Sequence, residues 1–183
     1  MKNVEIYSIS LKAEGEGQNK LQRVVNVISE EFEGPQFTPH VTVVPDVEGS
    51  LEEVMDKVNR GLSGICEPLH LKFSGPIIGD EYYKCVYMLS GITPELEELF
   101  RSVRGVFGVK LGLHPHLSLI YGNFKKEKKE LIAQRSKELL IQDKLWPLSW
   151  VVSRLVIDDV GPYAEGDQRV RQWKYAGEVK FGN

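Results

Sequence analysis

Two runs in this sequence set the same chemistry at the start of an aliphatic stretch: Pro39-His40-Val41-Thr42-Val43 and Pro115-His116-Leu117-Ser118-Leu119. Side chains on a strand alternate between faces. His40 and Thr42 therefore share one face and Val41 and Val43 the other. His116 and Ser118 are set against Leu117 and Leu119 in the same way. Each run buries its aliphatic pair and presents an imidazole beside a hydroxyl. If the two strands face each other, two histidines and two hydroxyls converge on one cleft. That set suits attack on a phosphodiester. An imidazole near its reference pKa of about 6.5 takes a proton from water. The other, charged, protonates the leaving oxygen. The hydroxyls donate hydrogen bonds to non-bridging oxygens, where charge accumulates. This division of roles needs no metal. A cyclic phosphate fits it, because attack and ring opening take place on opposite sides of one phosphorus. Which histidine is the base is left open. One His-x-Thr on a strand is common and usually means nothing; the duplication, each copy preceded by Pro and flanked by aliphatics, gives these two their weight.

The elements around the runs repeat as well. Val4–Leu11 alternates as a strand, Glu14–Gly17 reads as a loop, and Asn19–Phe32 has apolar residues at helical spacing, stopped by Gly34-Pro35. His40–Val44 is a strand ended by Pro45. Ser50 with Glu53 forms a capping box for a helix to about Leu62. Further strands are read at Leu69–Phe73 and Tyr82–Leu89. Thr93 caps a helix with Pro94 at its first position, running to about Phe107. A strand at His116–Tyr121, a helix at Lys126–Leu140 and two long strands at Trp146–Ile157 and Arg171–Phe181 complete the chain. The expectation is an α+β fold: a bilobal, pseudo-symmetric duplication of two mostly antiparallel sheets flanked by helices, with a central cleft. No linker separates the halves, so residues 1–183 are expected to form a single domain of two intertwined lobes.

The paired His-x-[Thr/Ser] strands resemble those of the two-histidine (2H) phosphoesterase superfamily. Within it, Pro115-His116-Leu117-Ser118-Leu119-Ile120-Tyr121-Gly122 is similar to the plant and fungal type of cyclic nucleotide phosphodiesterase, and the closing segment Gln172-Trp173-Lys174 agrees. The resemblance implies a bilobal fold with the site in the central cleft. It implies hydrolysis of ADP-ribose 1″,2″-cyclic phosphate to the 1″-phosphate, as in tRNA-splicing metabolism, and opening of nucleoside 2′,3′-cyclic phosphates to 2′-phosphates. His40, Thr42, His116 and Ser118 would carry the reaction, with Thr42 and Ser118 binding the phosphate and no cofactor or metal. Tyr121 matches a position where the family sets an aromatic near the base. Strict alternation puts Tyr121 on the face away from His116, unless Gly122 ends the strand there and lets the ring turn. The chain also departs from the subgroup at its N-terminal strand, where Ser8-Ile9-Ser10-Leu11 holds no Trp.

The remaining candidates read as structure. His70 shares a face with Lys72 and should look to solvent. His114 and His116 have a chelating spacing without an evident third ligand, and His114 would shape the rim of the cleft. Trp146, Trp150 and Trp173 are expected in packing. Asp158-Asp159 should begin a turn toward Gly161-Pro162. Cys66 and Cys85 are too few for a disulfide framework and read as small, partly buried thiols, a bridge between them being left open.

Composition bounds the partners. The 183 residues are 42% hydrophobic and 27% charged, with net charge -3, which argues against a general nucleic-acid binder. The charge is uneven: residues 1–91 hold 8 Lys and Arg against 14 Asp and Glu, residues 92–183 hold 15 against 12. No apolar run approaches the roughly 20 residues that cross a bilayer, and Met1–Tyr7 alternates in character without the apolar stretch and small-residue cleavage site expected of a signal peptide. The expected partner is a small-molecule cyclic phosphate nucleotide, bound by a cytoplasmic monomer away from membranes. Two other readings compete: an RNA-end processing member of the same superfamily, acting on 2′,3′-cyclic ends or 2′–5′ bonds, and a non-catalytic nucleotide-binding module.

Overall fold

The computed structural model describes residues 5–161 and 166–182. Its elements fall into two equal series. The first is β1 (Ile6–Leu11), α1 (Gly15–Phe32), β2 (Val41–Glu48), α2 (Leu51–Gly61), β3 (Leu69–Lys72) and β4 (Ile77–Glu81). The second is β5 (Lys84–Leu89), α3 (Pro94–Phe107), β6 (His116–Ile120), α4 (Lys126–Gln142), β7 (Ser149–Val152) and β8 (Arg154–Asp159). A short helix, α5 (Gly166–Val170), and β9 (Lys174–Lys180) end the chain.

Seven strands join in the order β4-β5-β6-β2-β1-β8-β9, and β3 pairs with β7 separately. All the pairings are antiparallel. The order is symmetric about the β6–β2 seam, and it exchanges material between halves. β4, from the first series, lies beside β5, while β8, from the second, lies beside β1. The seam itself is narrow, with register between Val41 and Leu117. The expected pair of antiparallel lobes is thus present, joined at that seam into one sheet. The helices repeat the exchange: α1 packs on α4 and β6, and α3 packs on α2 and β2.

Local chemistry explains most of the elements. Leu21, Val24, Val25 and Ile28 of α1, and Leu96, Leu99, Phe100 and Val103 of α3, recur at helical spacing and are fully buried. Thr93 Oγ1 accepts from Leu96 N above the N-terminal Pro94. Ser50 and Glu53 form the expected reciprocal box at the start of α2. Ser50→Ala should cost about 1 kcal/mol, the usual loss for an N-cap. It would be read as a lower urea midpoint with unchanged slope; an unmoved midpoint would mean the box contributes nothing.

Several boundaries differ from expectation or cannot be compared with it. The first residue of the β1 alternation, Val4, lies outside the described residues. α1 begins at Gly15, inside the segment read as a loop, although Glu14 makes no side-chain cap. β2 does not stop at Pro45. Val44 faces Ile9 and Val47 faces Tyr7, so Pro45 and Asp46 bulge out of the ladder and the missing proline N–H costs no sheet hydrogen bond. The long strand read over Trp146–Ile157 is two strands with different partners, β7 on β3 and β8 on β1, parted at Ser153. β4 and α5 were not legible, and Arg171–Trp173 precede β9 instead of opening it.

Candidate active site

The exchanged topology brings the two motif strands side by side. Val41, Val43, Leu117 and Leu119 are fully buried beneath the helices. His40, Thr42, His116 and Ser118 lie on the other face and line one cleft of about 670 Å³, with walls from both lobes. The structure therefore places all four sequence-read residues together.

Both imidazoles are held the same way. His40 Nδ1 is 2.7 Å from the Thr38 carbonyl oxygen, and His116 Nδ1 is 2.8 Å from that of His114. A carbonyl only accepts, so Nδ1 carries a proton in each ring and Nε2 is the exchanging nitrogen. The environments differ. His40 is 9% exposed. Burial, with Lys12 and His116 adding repulsion, pushes its pKa down to about 4, against the opposing pull of the Thr38 carbonyl and Asp158. His116 is half-buried and is also lowered, by burial first and then by Lys84 and His114.

The hydroxyls are not equivalent. Ser118 Oγ donates to the Tyr83 carbonyl at 2.6 Å. Its proton is committed to that carbonyl, which differs from the symmetrical donation read from the sequence. Thr42 lines the cleft with no hydrogen-bond partner among the described residues, so its proton is available.

Tyr121 lines the same cleft, contrary to strict alternation. The reason is a register shift: Tyr87 faces Ser118 but Val86 faces Ile120, one step on β5 against two on β6. The extra residue resets the facing of Tyr121 beyond it. The ring is only 3% exposed and stacks on Phe37 at 3.9 Å between centroids, so it backs the wall. The more open aromatic surfaces are Tyr83 and Trp173, whose rings lie 19° from parallel with centroids 6.5 Å apart. Trp173, expected in packing, sits with its centroid 5.6 Å from that of His40 and supplies an indole where the β1 strand offers Ser8.

His70 is exposed on β3 with Lys72, as its strand position implies. His114 is at the cleft rim, its ring 5.7 Å from that of His116, and no group of three His, Cys, Asp or Glu side chains among the described residues is placed to hold a metal. Trp150 packs on Phe73. Asp159 does open a turn, accepting from Gly161 N at 2.9 Å. Asp158 instead remains in β8 and pairs with Lys12 at 2.7 Å, each side chain 12% exposed, beneath His40. Cys66 is exposed, Cys85 is buried, and both are free thiols.

A cleft with two matched imidazoles invites comparison with known proteins. The family described as "Cyclic phosphodiesterase-like protein" matches residues 12–181. The chain belongs to that family. A cyclic phosphodiesterase of Arabidopsis thaliana is 24% identical over 155 residues, 84% of either chain. The family's fold is shared by E. coli LigT in its phosphate complex, at TM-score 0.63 and 11% identity over 100% of both chains. It is shared likewise by LigT with 3′-AMP, at 0.61 and 10% over 98% of this chain and 99% of that one. The 2H phosphoesterase resemblance and the α+β architecture are thereby borne out. Among the described residues no helix is long and apolar enough to cross a membrane.

Proposed function

We propose that this phosphodiesterase opens nucleoside 2′,3′-cyclic phosphates to 2′-phosphates, and ADP-ribose 1″,2″-cyclic phosphate to the 1″-phosphate, by proton exchange between His40 and His116. The observation that carries the reading is the matched pair of imidazoles, each locked through Nδ1, on one cleft. The more deeply buried His40, held neutral, is the base. Its Nε2 takes a proton from water as the oxygen attacks phosphorus. The bond from phosphorus to the 3′ oxygen breaks, and His116 Nε2–H gives its proton to that oxygen. Thr42 donates to a non-bridging oxygen. Ser118 can join it only by turning its hydroxyl away from Tyr83. Residues 1–183 act as one domain of intertwined lobes, a reading supported by the strand exchange and by one family spanning residues 12–181.

Phosphorus NMR of 2′,3′-cyclic AMP and ADP-ribose 1″,2″-cyclic phosphate, each incubated with the protein and EDTA, tests this. Ring opening that survives EDTA is expected. Opening that stops in EDTA and returns with a divalent ion would refute the two-histidine route. Opening of neither compound would turn attention to RNA with 2′,3′-cyclic ends.

A further inference from the structure

The cleft carries charge that the two motifs do not use. Lys84, Arg104 and Arg169 line it against Asp46 and Glu81, in a chain of net charge -3. Two of the cations have structural duties. Arg104 donates to the carbonyls of Val43, Leu111 and Gly112. Lys84 lies 2.5 Å from Glu81. Arg169 is placed differently. It comes from α5, outside both motif strands, and its side chain is 13% exposed. Nη2 donates to Asp46, and the Nε–H is buried without an acceptor among the described residues.

Asp46 is aimed by the backbone. It sits in the β2 bulge with φ 51°, a left-handed conformation that Asp tolerates better than most residues. Bulges re-aim the side chains they carry, and here both Pro45 and Asp46 reach the cleft. The strained turn thus presents a carboxylate that fixes a guanidinium at the edge of the reaction site. A guanidinium has five donors in a planar fork that matches phosphate oxygens, and Asp46 occupies only part of it. A cyclic mononucleotide brings one anionic phosphate, which the histidines and Thr42 already engage. A diphosphate brings further charge, and among the described residues of the cleft Arg169 is the cation with a buried donor left over for it.

We propose that Arg169, positioned by Asp46, is a specificity residue that binds the non-reacting diphosphate of an ADP-ribose-type substrate. This rests on the proposed reaction for its substrate class, but it can be tested by binding alone.

Titration calorimetry of the whole chain with ADP-ribose, which carries the diphosphate and no cyclic phosphate, would be compared with adenosine. Arg169→Met should weaken ADP-ribose binding about 10- to 100-fold, the scale of a lost charge-assisted pair, and adenosine much less. In turnover, the variant's kcat/KM should fall at least tenfold more for ADP-ribose 1″,2″-cyclic phosphate than for 2′,3′-cyclic AMP, through KM. A dinucleotide with a 2′,3′-cyclic end, whose second phosphate is a singly charged diester, should fall in between. A fall there as large as for the ADP-ribose compound would overturn the diphosphate assignment in favour of an RNA phosphate. Arg169→Lys and Asp46→Asn should show the same substrate ranking with smaller losses, and they decide the matter if the Met variant does not fold. Wild-type protein that binds ADP-ribose no better than adenosine, or equal losses on every substrate, overturns the proposal. Weakened ADP-ribose binding in a protein that opens no cyclic phosphate keeps the subsite and removes the proposed reaction.

Discussion

His40→Ala and His116→Ala should each lower the turnover of cyclic phosphate by roughly 10²–10⁴, the scale of a lost general acid or base, while KM changes little. The Nδ1–carbonyl lock leaves one nitrogen per ring for proton exchange. The double variant should lose about as much as either single one, because the residues act as a unit and deleting one already stops the concerted transfer. The two losses also separate by leaving group. On bis(p-nitrophenyl) phosphate the departing phenolate needs no proton, so His116→Ala should retain most of its activity while His40→Ala should not. The reverse pattern would exchange the base and acid roles. A variant with near-full turnover of the cyclic substrates would remove that histidine from the mechanism.

The pH dependence should be displaced toward acid. His40 becomes a base only as it loses its proton, with a pKa pushed down to about 4. His116 is an acid only while protonated, and its pKa too is lowered from the ordinary histidine value. The profile of kcat/KM should therefore be a bell whose acid limb lies near pH 4 and whose alkaline limb is shifted below the ordinary histidine value of 6.5. A bound phosphate anion favours both imidazolium forms, so the limbs of kcat should lie at higher pH than those of kcat/KM. The groups that act on His40 from neighbouring elements are Lys12, just beyond the end of β1, Asp158 on β8 and His116 on β6. Lys12→Met should move the acid limb up and Asp158→Asn should move it down. Shifts of the same sign in both would show disruption instead of tuning. Stability depends on the same proton. Between pH 4 and 6.5 the unfolded chain binds a proton at this residue that the folded chain does not. Stability is thus intact above about 6.5 and falls as pH drops toward 4, by about 3 kcal/mol from His40. His40→Ala should flatten that part of the curve. An unchanged acid slope in the variant would mean that the buried imidazole is not its source.

The residues legible in the sequence are those whose environment is set within a few positions. Val41 and Val43 against His40 and Thr42, like Leu117 and Leu119 against His116 and Ser118, reflect the two-residue period of a strand. The Ser50–Glu53 box and the Thr93-Pro94 start depend on one helical turn. The duplication of these signals was enough for the lobes, the cleft and its four central side chains. Tertiary structure decided what depends on distant partners. Tyr121 reaches the cleft because β5 sets the register of β6, and Pro45 stays within β2 because β1 leaves it unpaired. Ser118 donates its hydrogen bond to the Tyr83 carbonyl, 35 positions away. Asp158 leaves the expected turn to pair with Lys12, and Arg169 meets Asp46 across 123 positions. The inequality of His40 and His116 belongs to this second class: matching local motifs meet different burial and different neighbouring charges, Lys12 and Asp158 at His40 and Lys84, His114 and Glu81 at His116, which are properties of the packed chain that no spacing within either motif encodes.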